Sequence, residues 1–309
     1  MKSTLILFIL VLTQTAFAQY TKENLSMASV SNYAYQNLKL YPIRANQAFQ
    51  QQHRDVGNYK TLQESLKEKK LKITESSKDG DVNTLFIENV SNDTIMVLAG
   101  EVIQGGKQDR VISNDFIIYP KSGKKDLDVF CVESGRWQQN GTGSDFNTYY
   151  TISTKEVRKA AAVEKEQGKV WEKVAETTQK NNVSAPTNAL TAMKDANTFK
   201  AELKTYTSRL RDSFRDQKDV IGVVAVSGKT ILGCDMFATH DIFMSYYPNL
   251  LDSYATEAIT SGGPVTVSYE QVDKYLMELI SDESKQDQKV KDNGTMLKEK
   301  GRKYHISTF

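Results

Sequence analysis

Two short segments concentrate the side chains able to do chemistry. The first holds Gly100-Glu101 and then Gly105-Gly106-Lys107-Gln108-Asp109-Arg110; the second is Cys131-Val132-Glu133-Ser134-Gly135-Arg136-Trp137. Strand alternation puts Glu101 on the apolar face of Ile95, Val97, Ala99 and Ile103, and Glu133 on that of Leu127, Val129 and Cys131. A carboxylate on such a face must be paired, or its pKa rises into the range useful for general acid–base work. Lys107, Arg110 and Arg136 lie close enough in sequence to serve either an anion site or a structural ion-pair network. On the residues alone these two readings stand level.

Other motifs lead nowhere as sharp. Gly228-Lys229-Thr230 and Gly106-Lys107 fall short of a phosphate loop, because Val223 and Glu101 stand where its first glycine belongs. Hairpin turns explain both. His53, His240 and His305 are far apart and have no metal-ligand spacing, so no metal site is expected; His240-Asp241 reads as a helix start. Cys131 and Cys234 have apolar flanks and no adjacent cation, which favours two buried thiols over a bridge or a nucleophile.

The elements that must position these residues follow from periodicity. Strands are expected at 38–43, 72–75, 85–90, 94–99, 111–112, 116–119 and 127–132, with a turn at 78–81 and a short helix after Asn58. Residues 141–147 read as a loop. Ser153 and Glu156 spell a capping box for a helix or broken pair toward Lys180, with Val170, Trp171 and Val174 inward. Further helices follow at 188–216 and across Phe243 to Tyr254, the latter kinked or split near Pro248, and a last one is capped by Ser268 and Gln271. A β-hairpin lies between them at 221–232. The class is α+β: an antiparallel β-rich N-terminal half packed with a helix-rich C-terminal half that contains this second β-hairpin.

Composition bounds the rest. The 309 residues carry 40 Lys+Arg against 38 Asp+Glu, a formal charge of +2, which gives no pull toward nucleic acid. Lys2, the apolar run 5–12 and Ala16-Phe17-Ala18 have the layout of a secretory signal over 1–18, so the chain is expected to be exported, periplasmic or secreted. No later stretch is long and apolar enough to span a bilayer, and none is expected in the mature chain. Residues 19–37 read as a flexible segment, 38–282 as a single domain, and 283–309 as a charged, loose tail whose 304–307 run has the pattern of an edge strand.

The two motif segments resemble the ARPP-1 family, named for association with ADP-ribosylglycohydrolases and rhodanese-phosphatase proteins. The resemblance rests on Gly100-Glu101, Gly106 to Arg110 and Cys131 to Trp137, with support at Lys169-Val170-Trp171, at 186–190 and at 221–237. Asp109 stands where the family usually has Asn. The resemblance implies an anionic, nucleotide- or ADP-ribose-like ligand; it names no cofactor. Lys107, Gln108, Arg110 and Arg136 would bind its charge, Trp137 would stack on it, and Glu101 or Glu133 would bind hydroxyls or act as acid/base in a hydrolysis. The alternative is a non-enzymatic envelope or secreted interaction module with a structural charge cluster. A ligand site requires these residues to converge on a solvent-reachable concavity. The structural module requires direct Glu–Arg pairing, with no cavity and with Trp137 in the core.

Overall fold

The computed structural model describes residues 20–29, 32–77, 81–137 and 145–309. The signal segment 1–18 and most of the 78–81 turn lie outside them. The chain begins with β1 (Leu25–Met27), β2 (Ala34–Tyr35), β3 (Leu38–Ala45), α1 (Gln47–Gln52) and α2 (Leu62–Lys67). Next come β4 (Leu71–Glu75), β5 (Thr84–Asn89), β6 (Ile95–Val97), β7 (Glu101–Gly105), β8 (Arg110–Ile112), β9 (Phe116–Ile118), β10 (Lys124–Cys131) and β11 (Phe146–Ile152). The helical part holds α3 (Lys155–Lys159), a π turn (Ala160–Glu164), α4 (Gln167–Lys180), a 3-10 turn (Leu190–Asp195) and α5 (Asn197–Leu210). The chain closes with β12 (Val220–Ser227), β13 (Thr230–Phe237), α6 (His240–Ser261), α7 (Tyr269–Leu279), α8 (Glu283–Asn293), β14 (Gly294–Glu299) and β15 (Arg302–Thr308). This is the α+β class read from the sequence.

Six strands in the order β11-β7-β8-β10-β5-β4 pair antiparallel. A bridge between Thr74 and Asp145 returns β4 to the residue before β11, so the sheet curls toward a barrel. Alternation divides its residues: Leu85, Ile87, Ile103, Ile112, Leu127, Val129 and Phe146 cluster on one face. Val102, Val111, Phe130 and Val132 pack the other face against α4, the 3-10 turn and α5. The second sheet has the order β1-β3-β12-β13-β15-β14, with β2 on β3. It is covered by α5 and α6 on one side and by α1, α7 and α8 on the other. Burial on both faces explains why β12, Val-Ile-Gly-Val-Val-Ala-Val-Ser, is an unbroken buried run without alternation.

Six expectations need correction. Residues 283–309 form α8 and the β14–β15 hairpin rather than a loose tail, and β15 sits inside the sheet against β13. Only Val290, Leu297 and Ile306 are buried apolar anchors there, so the charged composition reflects the outer face. The 19–37 stretch supplies β1, β2 and the buried ring of Tyr20, which stands edge-on to Phe49. Trp171 is exposed, while Val170 and Val174 carry the buried stripe of α4. The helix after β11 starts at Thr154 without a side-chain cap, so no Ser153–Glu156 box forms. The loop read at 141–147 gives way to β11 from Phe146, and α6 passes through Pro248 as one 22-residue helix. Capping boxes do form at Thr61–Glu64 and Ser268–Gln271.

A buried charge network joins the barrel to the second sheet. Arg158 on α3 donates through Nη2 to Asp235 Oδ1 at 3.0 Å and to Ser307 Oγ at 2.9 Å. Tyr254 on α6 donates its hydroxyl to the same carboxylate. His305 lies between two acids, with Nε2 3.1 Å from Asp235 Oδ1 and Nδ1 2.7 Å from Asp115 Oδ2. Asp115 also accepts the Ala99 N–H at 2.7 Å. Burial opposes charge on His305, but Asp115 and Asp235 outweigh it and push its pKa up to about 9. Burial likewise opposes charge on Asp235, and Arg158 and His305 hold it far below the carboxylate range. Gly100 adopts a φ of +92°, and a Cβ there would lie 2.6 Å from Arg158 Cγ, so only glycine fits beneath the guanidinium.

These shifts make stability depend on pH. His305 binds its proton more tightly folded than unfolded, so its contribution is complete below its ordinary value of 6.5 and is lost as pH rises through about 9. Glu101, pushed up to about 8 by burial, has the same sign: its contribution is complete below 4.5 and lost as pH passes about 8. The urea midpoint is therefore expected to fall between about pH 6 and about pH 9.5, with a shallower fall in His305→Gln. A midpoint that is flat or rising over that interval in the parent chain would contradict the network.

Candidate functional site

At the end of the barrel where β7 turns into β8, Gly105 and Gly106 take φ values of +141° and +49°. A Cβ on Gly106 would strike the Phe146 ring and lie 2.6 Å from Glu75 Oε1, so the turn is built for glycine. The turn lays the Lys107 N–H on Glu75 Oε1 at 2.7 Å. Two residues on, Asp109 is buried and fully engaged: Oδ1 accepts from the Gly105 N–H and Oδ2 from Thr191 Oγ1 at 2.6 Å. Burial raises the Asp109 pKa.

The second segment arrives on the same rim because Cys131 of β10 pairs with Arg110 of β8. Glu133 accepts the Asp109 N–H at 3.1 Å and two bonds from Arg136, from Nε at 3.0 Å and Nη2 at 2.5 Å. Burial pushes the Glu133 carboxyl up, but Arg136 and Thr187 outweigh it and leave it below the ordinary value. Arg136 also donates to Gly106 O at 2.8 Å and to Asp109 at 3.3 Å. Glu133, Arg136 and Asp109 thus clamp the β7–β8 turn to the segment after β10.

Arg110 is different. It is the largest fully buried side chain of the rim. Its Nη1 donates to Gln108 O at 2.7 Å, whereas Nε and Nη2 have no hydrogen-bond partner among the described residues. Glu75 Oε1 is 3.9 Å from Nη2, near enough to attract and too far to accept a hydrogen bond. Above the guanidinium stands Trp137, 43% exposed, with its ring centroid 5.7 Å from Arg110 Cζ and 5.4 Å from Lys107 Nζ. Residues 138–144, between Trp137 and β11, lie outside the described residues.

Lys107, Gln108, Arg110, Glu133, Arg136 and Trp137 are therefore brought to one mouth, and Glu101 is not. Glu101 begins β7 at the opposite end, where Oε2 accepts the Leu98 N–H at 2.8 Å, and its charged neighbours are Asp115 and His305. Each expectation is half realised. Arg136 and Glu133 pair directly, as a structural cluster would, while Trp137 stays out of the core, as a ligand surface would. Glu75 and Phe146 were missed; Glu75 follows Leu71 and Ile73 on the buried face of β4, the same signal that singled out Glu101. Cys131 and Cys234 are separate buried thiols, the first pushed up to about 11 by burial. No group of three or more His, Cys, Asp or Glu placed to hold a metal ion occurs among the described residues. No helix of the described residues is long and apolar enough to cross a membrane.

The family model described as the ARG and Rhodanese-Phosphatase-superfamily-associated Protein domain, ARPP-1, matches residues 26–307. The chain belongs to this family. No curated protein and no solved structure matches it.

The clamp can be tested by its stability. Arg136→Ala would strand Glu133 and Asp109 without their counter-charge and should cost about 3 kcal/mol in urea unfolding. Adding Glu133→Gln to it should cost less than the two single losses combined. Additive losses, or an Arg136→Ala chain as stable as its parent, would show that the clamp is not structural.

Proposed function

We propose that this ARPP-1 domain, exported through its first 18 residues, binds an anionic, nucleotide- or ADP-ribose-like small molecule at the barrel mouth. One observation carries the reading: the two unused donors of buried Arg110 are Nε and Nη2, which share one edge of the guanidinium. That edge is the side-on fork that takes two oxygens of a phosphate or carboxylate. A buried donor without an acceptor is costly, and an oxyanion would satisfy both at once. Trp137 stands over the guanidinium and offers an aromatic face to a base or sugar, and Lys107 supplies a second cation against the same ring. The fork is closed to solvent, so admission of the oxyanion requires a neighbouring group to move.

The local charge is balanced, with Lys107, Arg110 and Arg136 against Glu75, Asp109 and Glu133. Directional hydrogen bonding, more than field strength, would therefore anchor the ligand. The proposal is binding and not turnover, because Arg136 and the Asp109 N–H occupy Glu133 and because Glu101 lies at the other end of β7. The family description, which couples this domain to ARG and rhodanese-phosphatase proteins, suggests ADP-ribose as the first probe.

Calorimetry and thermal denaturation with ADP-ribose and NAD test the proposal. Saturable stabilisation is expected, about 2.7 kcal/mol at a hundredfold excess over Kd. Arg110→Lys, which keeps the charge but loses the fork, and Trp137→Ala should each weaken binding about tenfold or more. Absence of any shift at millimolar ligand would sink the ligand reading. For export, N-terminal sequencing of the protein from its native host should start at Gln19; a cytoplasmic chain retaining Met1 would refute it.

A further inference from the structure

A cleft of 320 Å³ lies where α6 ends, between α4, the start of α3 and the β12–β13 hairpin. It shares no described lining residue with the barrel mouth. Its charged side chains are Lys155 and Glu156 from α3, Lys173, Glu176 and Lys180 from α4, and Glu257 from α6. Lys173 and Glu176 pair directly, Nζ to Oε1 at 2.9 Å. The other four do not pair. Lys155 Nζ donates to Ile231 O at 3.2 Å and Lys180 Nζ to Ser261 Oγ at 2.9 Å, and neither lies in a salt bridge among the described residues. Glu156 and Glu257 lie in none either. Two cations and two anions thus line one cleft without meeting. All four are within reach of solvent: Glu156 and Lys180 are exposed, and Lys155 and Glu257 are half-buried.

Glu257 bears the cost of this arrangement. Burial and the neighbouring Glu156 push its carboxyl up to about 6, against the pull of Lys155 and Lys180. It is ionised at neutral pH in a place that disfavours the charge, and a cation beside it would relieve that cost. The negative end of the 22-residue α6 makes the same demand, since Ser261 and Gly262 line the cleft. Lys155 and Lys180 make the opposite one. A lone cation would meet two ammonium groups, and a lone anion would meet two carboxylates. One molecule bearing both charges satisfies all four. The cleft is at the small end of the range for small-molecule sites, about 300–1,000 Å³. Leu232 is the one apolar side chain of its described lining, which suits a short carbon skeleton.

We propose that this cleft binds a small α-amino acid as its zwitterion. The ammonium donates to Glu257 and Glu156, and the carboxylate accepts from Lys180 and Lys155. The site stands independently of the barrel mouth and of whatever Arg110 binds.

Titration of the whole ¹³C-labelled chain with L-alanine, followed at the Glu257 carboxyl carbon, tests this. Ethylamine and propionate, which each lack one of alanine's two charges, are the controls. Alanine should move the Glu257 signal saturably, and each control should bind at least about tenfold more weakly. Lys180→Ala, a change at an exposed side chain, should weaken alanine binding about tenfold. Arg110→Lys should leave it unchanged, which separates this site from the mouth. The proposal is overturned if millimolar alanine leaves the Glu257 signal unmoved, if either control binds as tightly as alanine, or if Lys180→Ala binds alanine like the parent chain.

Discussion

The carboxylate of Asp235 is the group around which the two sheets are assembled. It lies on β13 beside Ser307 of β15, and it collects Arg158 from α3, Tyr254 from α6 and His305 from β15. A carboxylate without solvent must be matched by donors from every side, and here the donors come from elements on both sides of the seam. Loss of one partner from such a cluster costs about 3–5 kcal/mol, because the remaining charge stays buried. The order of assembly is constrained accordingly. The barrel, α6 and the last hairpin must all be in place for Asp235 to be buried as a carboxylate without an uncompensated desolvation penalty. His305 extends the constraint to Asp115, and through the Ala99 N–H to the strand that leads into β7.

That strand links the seam to the mouth. Gly100 and Glu101 are held at the seam, the first beneath Arg158 and the second near Asp115 and His305. Four residues later Gly105 and Gly106 turn the chain, and Arg110 returns on β8 opposite Ile103. The segment from Gly100 to Arg110 therefore serves two places at opposite ends of one strand pair. Its near end fixes the barrel on the second sheet, and its far end shapes the rim. The shared strand explains why these residues look like a single motif and yet do not form a single site.

How much of this the sequence discloses depends on the range of the interaction. Alternation within one strand is local, so it correctly placed Glu101 and Glu133 on apolar faces, and both are buried. Capping at Ser268 and Gln271 is equally local and forms as read. Asp235, Asp115 and His305 are separated by up to 190 residues, and no short pattern announces that they meet. The C-terminal hairpin was illegible for another reason: α8 shows solvent a face of Lys, Asp and Glu, and its one buried apolar residue is Val290. Trp171 misled because an aromatic adjoining a helical stripe can lie on either side of its border, and here it lies outside.

Two buried arginines show why the mouth differs from the seam. Arg158 and Arg110 are comparably enclosed, yet Arg158 has both terminal nitrogens committed to Asp235 and Ser307, with its plane against Phe309 at 4.4 Å. Only its Nε lacks a partner among the described residues. Arg110 has one nitrogen on a carbonyl and a whole edge unused, with its nearest carboxylate beyond hydrogen-bond reach. A guanidinium is always charged at physiological pH, so burial cannot be relieved by loss of its proton. The seam relieves it with Asp235, whose own charge is thereby stabilised. At the mouth the equivalent acid, Glu75, is held back by the Lys107 N–H, and the open edge is left under an exposed tryptophan. Arg110 is thereby buried beside a carboxylate that attracts it without accepting a hydrogen bond from it.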